Sequence, residues 1–176
     1  MTSLELYARH KALTVTLSGQ EEMTAVSSLN DGIHIVEVTL VCRASTAEII
    51  SAQAKMIKYP WNLCEVAAKQ ITLIEGLKIG PGIRSEIERR IGKKKGCTHV
   101  VDLAIEAVRG IIQGQYRLRY LPTTREERIN MVQSDMEGTC FSYSNPHLNL
   151  EATGDWAEGA LLPEQYEELK RIMARN

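Results

Sequence analysis

Residues 92–103 place a thiol, a hydroxyl and an imidazole side by side in the stretch GKKKGCTHVVDL. Thr98 is predicted to cap the helix that follows, so Cys97 would lie just before this helix and His99 in its first turn. A helix N-terminus carries partial positive charge, and three lysines precede the cysteine. Both effects favour the thiolate, which is the form of cysteine that binds a metal or attacks an electrophile.

Two further cysteines extend this pair into a candidate metal site. Cys64 comes close to the start of another predicted helix, and Cys140 lies in the polar stretch EGTCFSYSNP. Together with Cys97 and His99 they form a set of three thiols and one imidazole, which suits zinc or an iron–sulfur cluster. None of these cysteines form a pair separated by two residues, so the spacing is not that of a zinc finger.

Three classes of function are compatible with this cluster. The first is a cytoplasmic metal- or iron–sulfur-binding protein with Cys64, Cys97, His99 and Cys140 as ligands, in which Asp102 supports a ligand or becomes one. The second is a thiol-dependent enzyme in which Cys97 is the nucleophile, His99 is the base and the helix N-terminus holds an anionic group. The third is a structural or interaction domain whose cysteines only pack.

The composition limits the partners of the protein. Of its 176 residues 44% are hydrophobic and 24% are charged, and the net charge is −1. These values fit one globular domain with a core and do not suggest a nucleic acid or an acidic membrane as partner. Basic residues near 84–95 are interrupted by glutamates and lack interleaved aromatics, so they are interpreted as a solvated face. An unknown protein or small molecule is the expected partner, and a homo-oligomer is left open.

The location is predicted from the same features. The longest apolar run is much shorter than the roughly 20 residues that span a bilayer. The N-terminus MTSLELYARH has no apolar signal-peptide core. We therefore expect a cytoplasmic protein without a membrane partner, in which the four cysteines are reduced thiols or ligands.

The first third of the chain has the period of two that is typical of β-strands. Apolar residues alternate in KALTVTLS, EMTAVSSL, IHIVEVTLVC and EIISAQAKMI, with Ile50, Ala52, Ala54 and Met56 on one face of the last segment. The turn signal Asn30-Asp31-Gly32 separates the second and third segments. Short polar links between neighbouring strands predict an antiparallel meander.

The remaining two thirds have helical periodicity. Helices are predicted over 61–76, 83–91, 98–113, 125–137 and 163–175, whereas 115–121 is predicted to return to the sheet. The segment 98–113 is apolar almost all round, which is typical of a central helix. The predicted fold is therefore α+β, with helices packed on one face of an antiparallel β-meander. Residues 1–146 would form a single domain, and 147–176 a C-terminal extension with a docking helix near 163–175.

Three short motifs connect the chain with a known family. Pro60 and Cys64 match a Pro-x-x-Cys helix start that is one residue longer here, 76–82 read Gly-Leu-x-Ile-Gly-Pro-Gly, and 96–99 read Gly-Cys-Thr-His. In these motifs the chain resembles an uncharacterised bacterial domain of unknown function, over about residues 33–145. A fainter, fold-level similarity is to iron–sulfur scaffolds of the NifU type. The resemblance supports the cluster as a unit but implies no activity.

Overall fold

A computed structural model describes residues 3–19, 21–145, 154, 157–158 and 160–173. Contacts between Cα atoms divide the chain into two compact units, 1–114 and 115–176. The elements follow one another as β1 (His10–Ser18), β2 (Glu22–Asn30), β3 (Ile35–Arg43), β4 (Glu48–Lys58), α1 (Leu63–Ala68), α2 (Ile83–Ile91), α3 (Thr98–Tyr120), α4 (Arg125–Asp135) and α5 (Pro163–Met173). The predicted α+β class is confirmed.

The four strands form one antiparallel sheet in the order β1-β2-β3-β4, as the meander prediction requires. Asn30 pairs with His10 on one side and with Ile35 on the other, and Ile35 pairs with Lys58. The start of β1, the β2–β3 turn and the end of β4 therefore lie at the same end of the sheet. Polar groups carried by these three segments meet there.

The buried side chains of β2 and β3 follow the predicted alternation, whereas those of β4 depart from it. On β3 every second side chain is fully buried, from Val36 to Cys42. On β4 the pairing shifts between Val41 and Cys42, because Ile50 is an extra residue between Ile49 and Ser51. This bulge moves Ile49 rather than Ile50 onto the buried face. The prediction that Ile50 lies on the buried face was therefore wrong, because a strict period of two does not anticipate a bulge.

Helix α3 is the central helix that the sequence predicts. Its inward side chains are buried: Val100, Leu103, Ala104, Ala107, Val108 and Ile111. The buried Ser27 hydroxyl of β2 donates to the carbonyl of Leu103 over 2.8 Å, and a Cβ on Gly114 would lie 3.5 Å from Met23 Cε. Since residue numbers rise along the helix and fall along β2, α3 runs along β2 in the opposite direction.

A glycine allows this helix to approach β1 closely. A Cβ atom at Gly110 would lie 2.8 Å from Leu13 and 2.9 Å from Val15, and real Cβ contacts are not that short. Glycine lowers helix propensity by about 1 kcal/mol relative to alanine. Its presence here therefore reflects the packing of the helix against β1 and not a helix end.

The segment between β4 and α3 is less regular than predicted. The single helix expected over 61–76 is the short α1 followed by a 3-10 helix at Lys69–Ile74. Ile71 and Ile74 are buried, whereas Leu63 is exposed. The stop expected at Gly76 agrees with its left-handed backbone (φ +79°). Helix α2 then matches the predicted 83–91 segment.

The second unit corrects one prediction and confirms another. Residues 115–121 do not return to the sheet, because α3 continues to Tyr120. Tyr116 and Tyr120 stack four residues apart with their ring centroids 5.8 Å apart, a spacing that fits a helix face. At the start of α4, Thr124 and Glu127 form the predicted capping box. The buried Arg128 donates to the carbonyls of Tyr120 and Thr123, both over 3.0 Å.

The C-terminal predictions concern segments that are only partly described. Helix α5 coincides with most of the helix expected near 163–175. Residues 146–153 lie outside the described residues, so the division into a 1–146 domain and a 147–176 extension stays a prediction. Of the helices that the structure describes, none is both long and apolar enough to cross a membrane.

We expect the Ala107→Asp substitution to destabilise the first unit strongly. The Ala107 side chain is fully buried, and burying an unpaired carboxylate costs several kcal/mol, comparable with the total stability of about 5–15 kcal/mol for a domain. Urea unfolding followed by circular dichroism measures the change. The matched control is Gln113→Asp on the exposed side of the same helix. Equal urea midpoints for the two variants would contradict a central α3.

Candidate metal centre

The β2–β3 turn holds an aspartate whose side chain is almost fully buried. The Asp31 side chain is only 4% exposed. Its Oδ1 accepts hydrogen bonds from the backbone N–H groups of Ile33 (3.1 Å) and His34 (2.7 Å). Gly32 adopts a left-handed backbone (φ +84°) that side chains disfavour, which lets the chain fold back over the carboxylate. The local turn therefore fixes the direction of the Asp31 carboxylate.

Two histidines approach this carboxylate from different elements. His34 belongs to the turn itself, and its Nδ1 lies 3.3 Å from Asp31 Oδ1. His99 comes from the first turn of α3, and its Nε2 lies 3.8 Å from Asp31 Oδ2. The two imidazole rings are in contact, with centroids 4.0 Å apart and planes tilted by 33°.

These three side chains form the candidate metal centre. One ligand atom from each of Asp31, His34 and His99 lies within 4.8 Å of the other two. Among the described residues this is the one such group of three or more histidine, cysteine or acidic side chains. All three side chains are at least four-fifths shielded from solvent, since His99 is 20% and His34 16% exposed. Two imidazoles and a carboxylate are common ligands of divalent transition metals.

The electrostatics of the centre favour the protonation states that bind metal. The backbone N–H of His34 is the largest cause that holds the pKa of the Asp31 carboxyl below its ordinary value, although burial opposes it. Burial is the largest cause that lowers the pKa of His99; His34 and Arg9 add to this effect, and Asp31 and Asp102 oppose it. Near neutral pH the aspartate is therefore ionised and His99 keeps a free lone pair.

Cationic side chains and a phenol surround the carboxylate. Arg9 lies between two acids, with one guanidinium nitrogen 3.6 Å from Asp31 and another 3.9 Å from Asp102. Lys11 pairs with Asp102 over 2.5 Å. The Tyr7 hydroxyl lies 3.5 Å from Asp31 Oδ2, and the Arg9 guanidinium lies over the Tyr7 ring. The charges of the two acids are thus balanced by those of two bases.

The structure brings Cys97 and His99 together, as the sequence suggests. Cys97 Sγ lies 3.7 Å from His99 Nδ1. The capping prediction was wrong by one residue: α3 begins at Thr98, and the Cys97 carbonyl accepts the first helical hydrogen bond, from the N–H of Val101. Cys97 itself therefore occupies the N-cap position, from which its side chain can turn back to the imidazole.

The other predicted ligands lie outside this group. Cys64 is partly exposed in α1, within the first unit, and Cys140 is exposed in the second unit. Neither belongs to the group formed by Asp31, His34 and His99, and nor does Cys97. The four-ligand set of Cys64, Cys97, His99 and Cys140 stays a prediction. Cys42 is a core residue, and burial raises the pKa of its thiol to about 11.

Sequence reasoning missed Asp31 and His34, because their turn explains them locally. Asn30-Asp31-Gly32 is an ordinary turn signal, and an aspartate in such a turn commonly bonds its own backbone, which gives it a purely structural role. The available signal was that two residues of types that bind metals, Asp31 and His34, lie inside one tight turn. Its meaning depends on His99, which only the packing of α3 along β2 brings to the turn.

Comparison with known proteins gives one match. A family described as "Protein of unknown function (DUF2889)" matches residues 14–113. This match confirms the resemblance to a domain of unknown function, and it includes the second half of β1, the other three strands and most of α3. The quoted motifs as family signatures and the similarity to NifU-type scaffolds stay predictions. Neither a curated protein nor a solved structure matches the chain.

The lowered pKa of Asp31 predicts a pH-dependent stability. Because the folded state lowers this pKa, the carboxylate stabilises the fold above the ordinary carboxyl range, and this contribution is lost as the pH falls through the lowered pKa. The free energy of unfolding, measured against pH for wild type and Asp31→Asn, tests it. The asparagine can still accept the turn hydrogen bonds. The lowered pKa of His99 likewise makes the fold more stable as the pH rises, but over the higher pH range in which imidazole titrates.

The expected difference between wild type and Asp31→Asn is largest above the carboxyl range and shrinks in acid. Glu22→Gln, which removes an exposed carboxylate from the opposite end of β2, is the control for loss of one negative charge. Parallel curves of unfolding free energy against pH for wild type and Asp31→Asn throughout the acid range would contradict a lowered pKa at Asp31.

Proposed function

The chain belongs to this family of unknown function, and we propose that it binds one divalent transition-metal ion through Asp31, His34 and His99. The observation that carries the proposal is the approach of three ligand atoms to within 4.8 Å of one another around a buried carboxylate. Ligand atoms around a bound zinc ion lie about 2.0–2.2 Å from it, so they are separated by roughly 3–4 Å. Only small side-chain movements would be needed to surround an ion.

The donor set indicates the kind of metal. Imidazole suits zinc, copper, iron and nickel, whereas a site of oxygen donors alone would suit calcium or magnesium. Three protein ligands leave coordination positions open, which is typical of catalytic and not of structural zinc sites. We therefore infer that a bound metal ion would keep at least one coordination position open for water or a small ligand. An iron–sulfur cluster would instead need thiolates, which Asp31, His34 and His99 do not offer.

Cys97 would orient one of the metal ligands. A metal-bound histidine commonly hydrogen-bonds through its other ring nitrogen, which fixes the tautomer and the ring orientation. Here Nε2 of His99 faces Asp31, and Nδ1 faces Cys97 Sγ. The sequence prediction of a metal site at the start of α3 is thus kept in this proposal, with a different set of ligands.

A second candidate function uses the same residues as a thiol enzyme. Cys97, His99 and Asp31 follow one another with separations of 3.7 Å and 3.8 Å, in the order nucleophile, base and orienting carboxylate. In such a site His99 Nδ1 takes the thiol proton while sulfur adds to a carbonyl carbon, and the electrons of the C=O π bond move onto the carbonyl oxygen. The Sγ–Nδ1 separation is compatible with a hydrogen bond to sulfur, whereas the Nε2–Oδ2 separation is longer than a hydrogen bond, so His99 and Asp31 would have to move closer on substrate binding. The two candidates need the same imidazole nitrogen, Nε2, and exclude each other at any one time.

The broader setting is carried over from the sequence. We propose a cytoplasmic location and a small molecule or a protein as partner, with no role for nucleic acid. The net charge of −1 and the mixed charges of α2 support the absence of a role for nucleic acid.

Calorimetric titration with zinc after chelator treatment tests the metal proposal. We expect one zinc ion per chain. The variants His34→Ala, His99→Ala and Asp31→Asn should each weaken zinc binding by about 100-fold or more, because loss of a residue that only hydrogen-bonds a metal ligand already weakens binding by up to that factor. Affinity should also fall in acid, since protons compete for the imidazoles. His10→Ala, which removes an exposed histidine of β1, is the matched control. Unchanged affinity in His34→Ala, or loss of affinity in Cys64→Ser and Cys140→Ser, would contradict the proposal.

Alkylation by iodoacetamide tests the thiol candidate, with each cysteine followed by mass spectrometry. If His99 activates Cys97, this partly buried thiol reacts faster than the exposed Cys140, and His99→Ala slows only Cys97. Cys140 serves as the control within the same molecule. Rates at Cys97 that follow exposure alone, and that do not change in His99→Ala, would exclude the thiol enzyme.

A further inference from the structure

We infer that the metal-loaded site binds a small organic anion, with its charged head between the metal and Arg9 and its apolar body over Tyr7 and Ile33. This inference rests on the proposed metal binding and names the class of ligand that the open coordination positions would take. Three observations support it: the charge balance of the site, the hydrogen-bonding capacity of Arg9, and the apolar side chains exposed at the turn.

The charge balance of the site favours an anion once a metal is bound. Asp31 and Asp102 are already matched by Arg9 and Lys11, which lie 2.5–3.9 Å from them. Neutral imidazoles bring no charge, so both positive charges of a divalent ion remain uncompensated. Lys58, whose ammonium group donates to the Gly32 carbonyl of the same turn, adds another positive charge. An anionic ligand is the complement to this excess.

Arg9 is placed to receive the head of that ligand. Its two ion-pair distances, 3.6 Å and 3.9 Å, are longer than hydrogen bonds, and its side chain is 36% exposed. A guanidinium group binds a carboxylate or phosphonate through two parallel N–H groups. Because Arg9 already reaches the Asp31 carboxylate, an anion that coordinates the metal from the solvent side would come within its reach.

The turn also exposes apolar surface beside the metal ligands. Ile33 stands between Asp31 and His34 in the chain, its N–H donates to Asp31, and its residue is 57% exposed. Tyr7, whose hydroxyl lies 3.5 Å from Asp31, is 58% exposed. An apolar group attached to the bound anion would cover part of both side chains, which stabilises the complex by removing that surface from water.

Protein loaded with Co²⁺ provides the test, because its visible d–d bands report on both the metal and the anion. Appearance of these bands on adding Co²⁺, and their loss in His34→Ala, establishes the metal site first. Benzoate, phenylphosphonate and acetate are then added in turn, and the spectral changes give their affinities. We expect benzoate to bind about tenfold more tightly than acetate, which has the same carboxylate head, as burial of a ring predicts. The comparison of benzoate with phenylphosphonate identifies the preferred head group.

Two variants separate the contacts. Arg9→Gln should lower the affinity for all three anions by about tenfold, whereas Ile33→Ser should lower the affinity only for the two anions that carry a ring. Arg43→Gln is the matched control, since Arg43 is exposed at the opposite end of the sheet and pairs with Glu21. Co²⁺ bands that no anion changes would overturn this inference and leave the metal proposal standing, as would equal affinities for acetate and benzoate. Absence of Co²⁺ bands would overturn both.

Discussion

The hydrogen bonds from the β2–β3 turn to the Asp31 carboxylate are the constraint on which the site depends. Two backbone N–H groups hold Oδ1 at 2.7–3.1 Å, so the charged form is stabilised although the side chain is 4% exposed. The same carboxylate faces His34, His99 and Arg9, which come from the turn, from α3 and from the segment before β1. It is therefore the one group that all three approach.

The placement of His99 at this carboxylate follows from how α3 packs. Ser27 donates to the Leu103 carbonyl one turn beyond the histidine, and this buried bond fixes the position of the helix along β2. Gly110 allows the other part of the helix to lie against Leu13 and Val15. A helix anchored at these two points has little freedom to slide, so its first turn remains beside the β2–β3 turn.

The fold could be predicted largely because its signals are local. Alternation in β3 and the apolar surface of 98–113 each follow from a few neighbouring residues. The bulge at Ile50 and the continuation of α3 to Tyr120 could not be read in the same way. A bulge depends on pairing with another strand, and QYRLRYL alternates as a strand does although its tyrosines are spaced for a helix.

The site was predictable only in the part that is local in sequence. The contact of Cys97 with His99 follows from the start of one helix, and the structure contains it. Asp31 and His34 required knowledge of which turn lies next to that helix, and this comes from the register of the sheet and the buried contacts of α3. Chemical suitability alone favoured cysteines, whereas the residues that the fold brings together are an acid and two histidines.

X-ray absorption of the zinc-loaded protein tests the central claim most directly, because it identifies the atoms bound to the metal. The account predicts nitrogen and oxygen neighbours at about 2.0–2.2 Å, with the multiple-scattering signal of two imidazoles and without sulfur. A sulfur neighbour at about 2.3 Å would contradict it and would favour a site built from Cys64, Cys97 and Cys140.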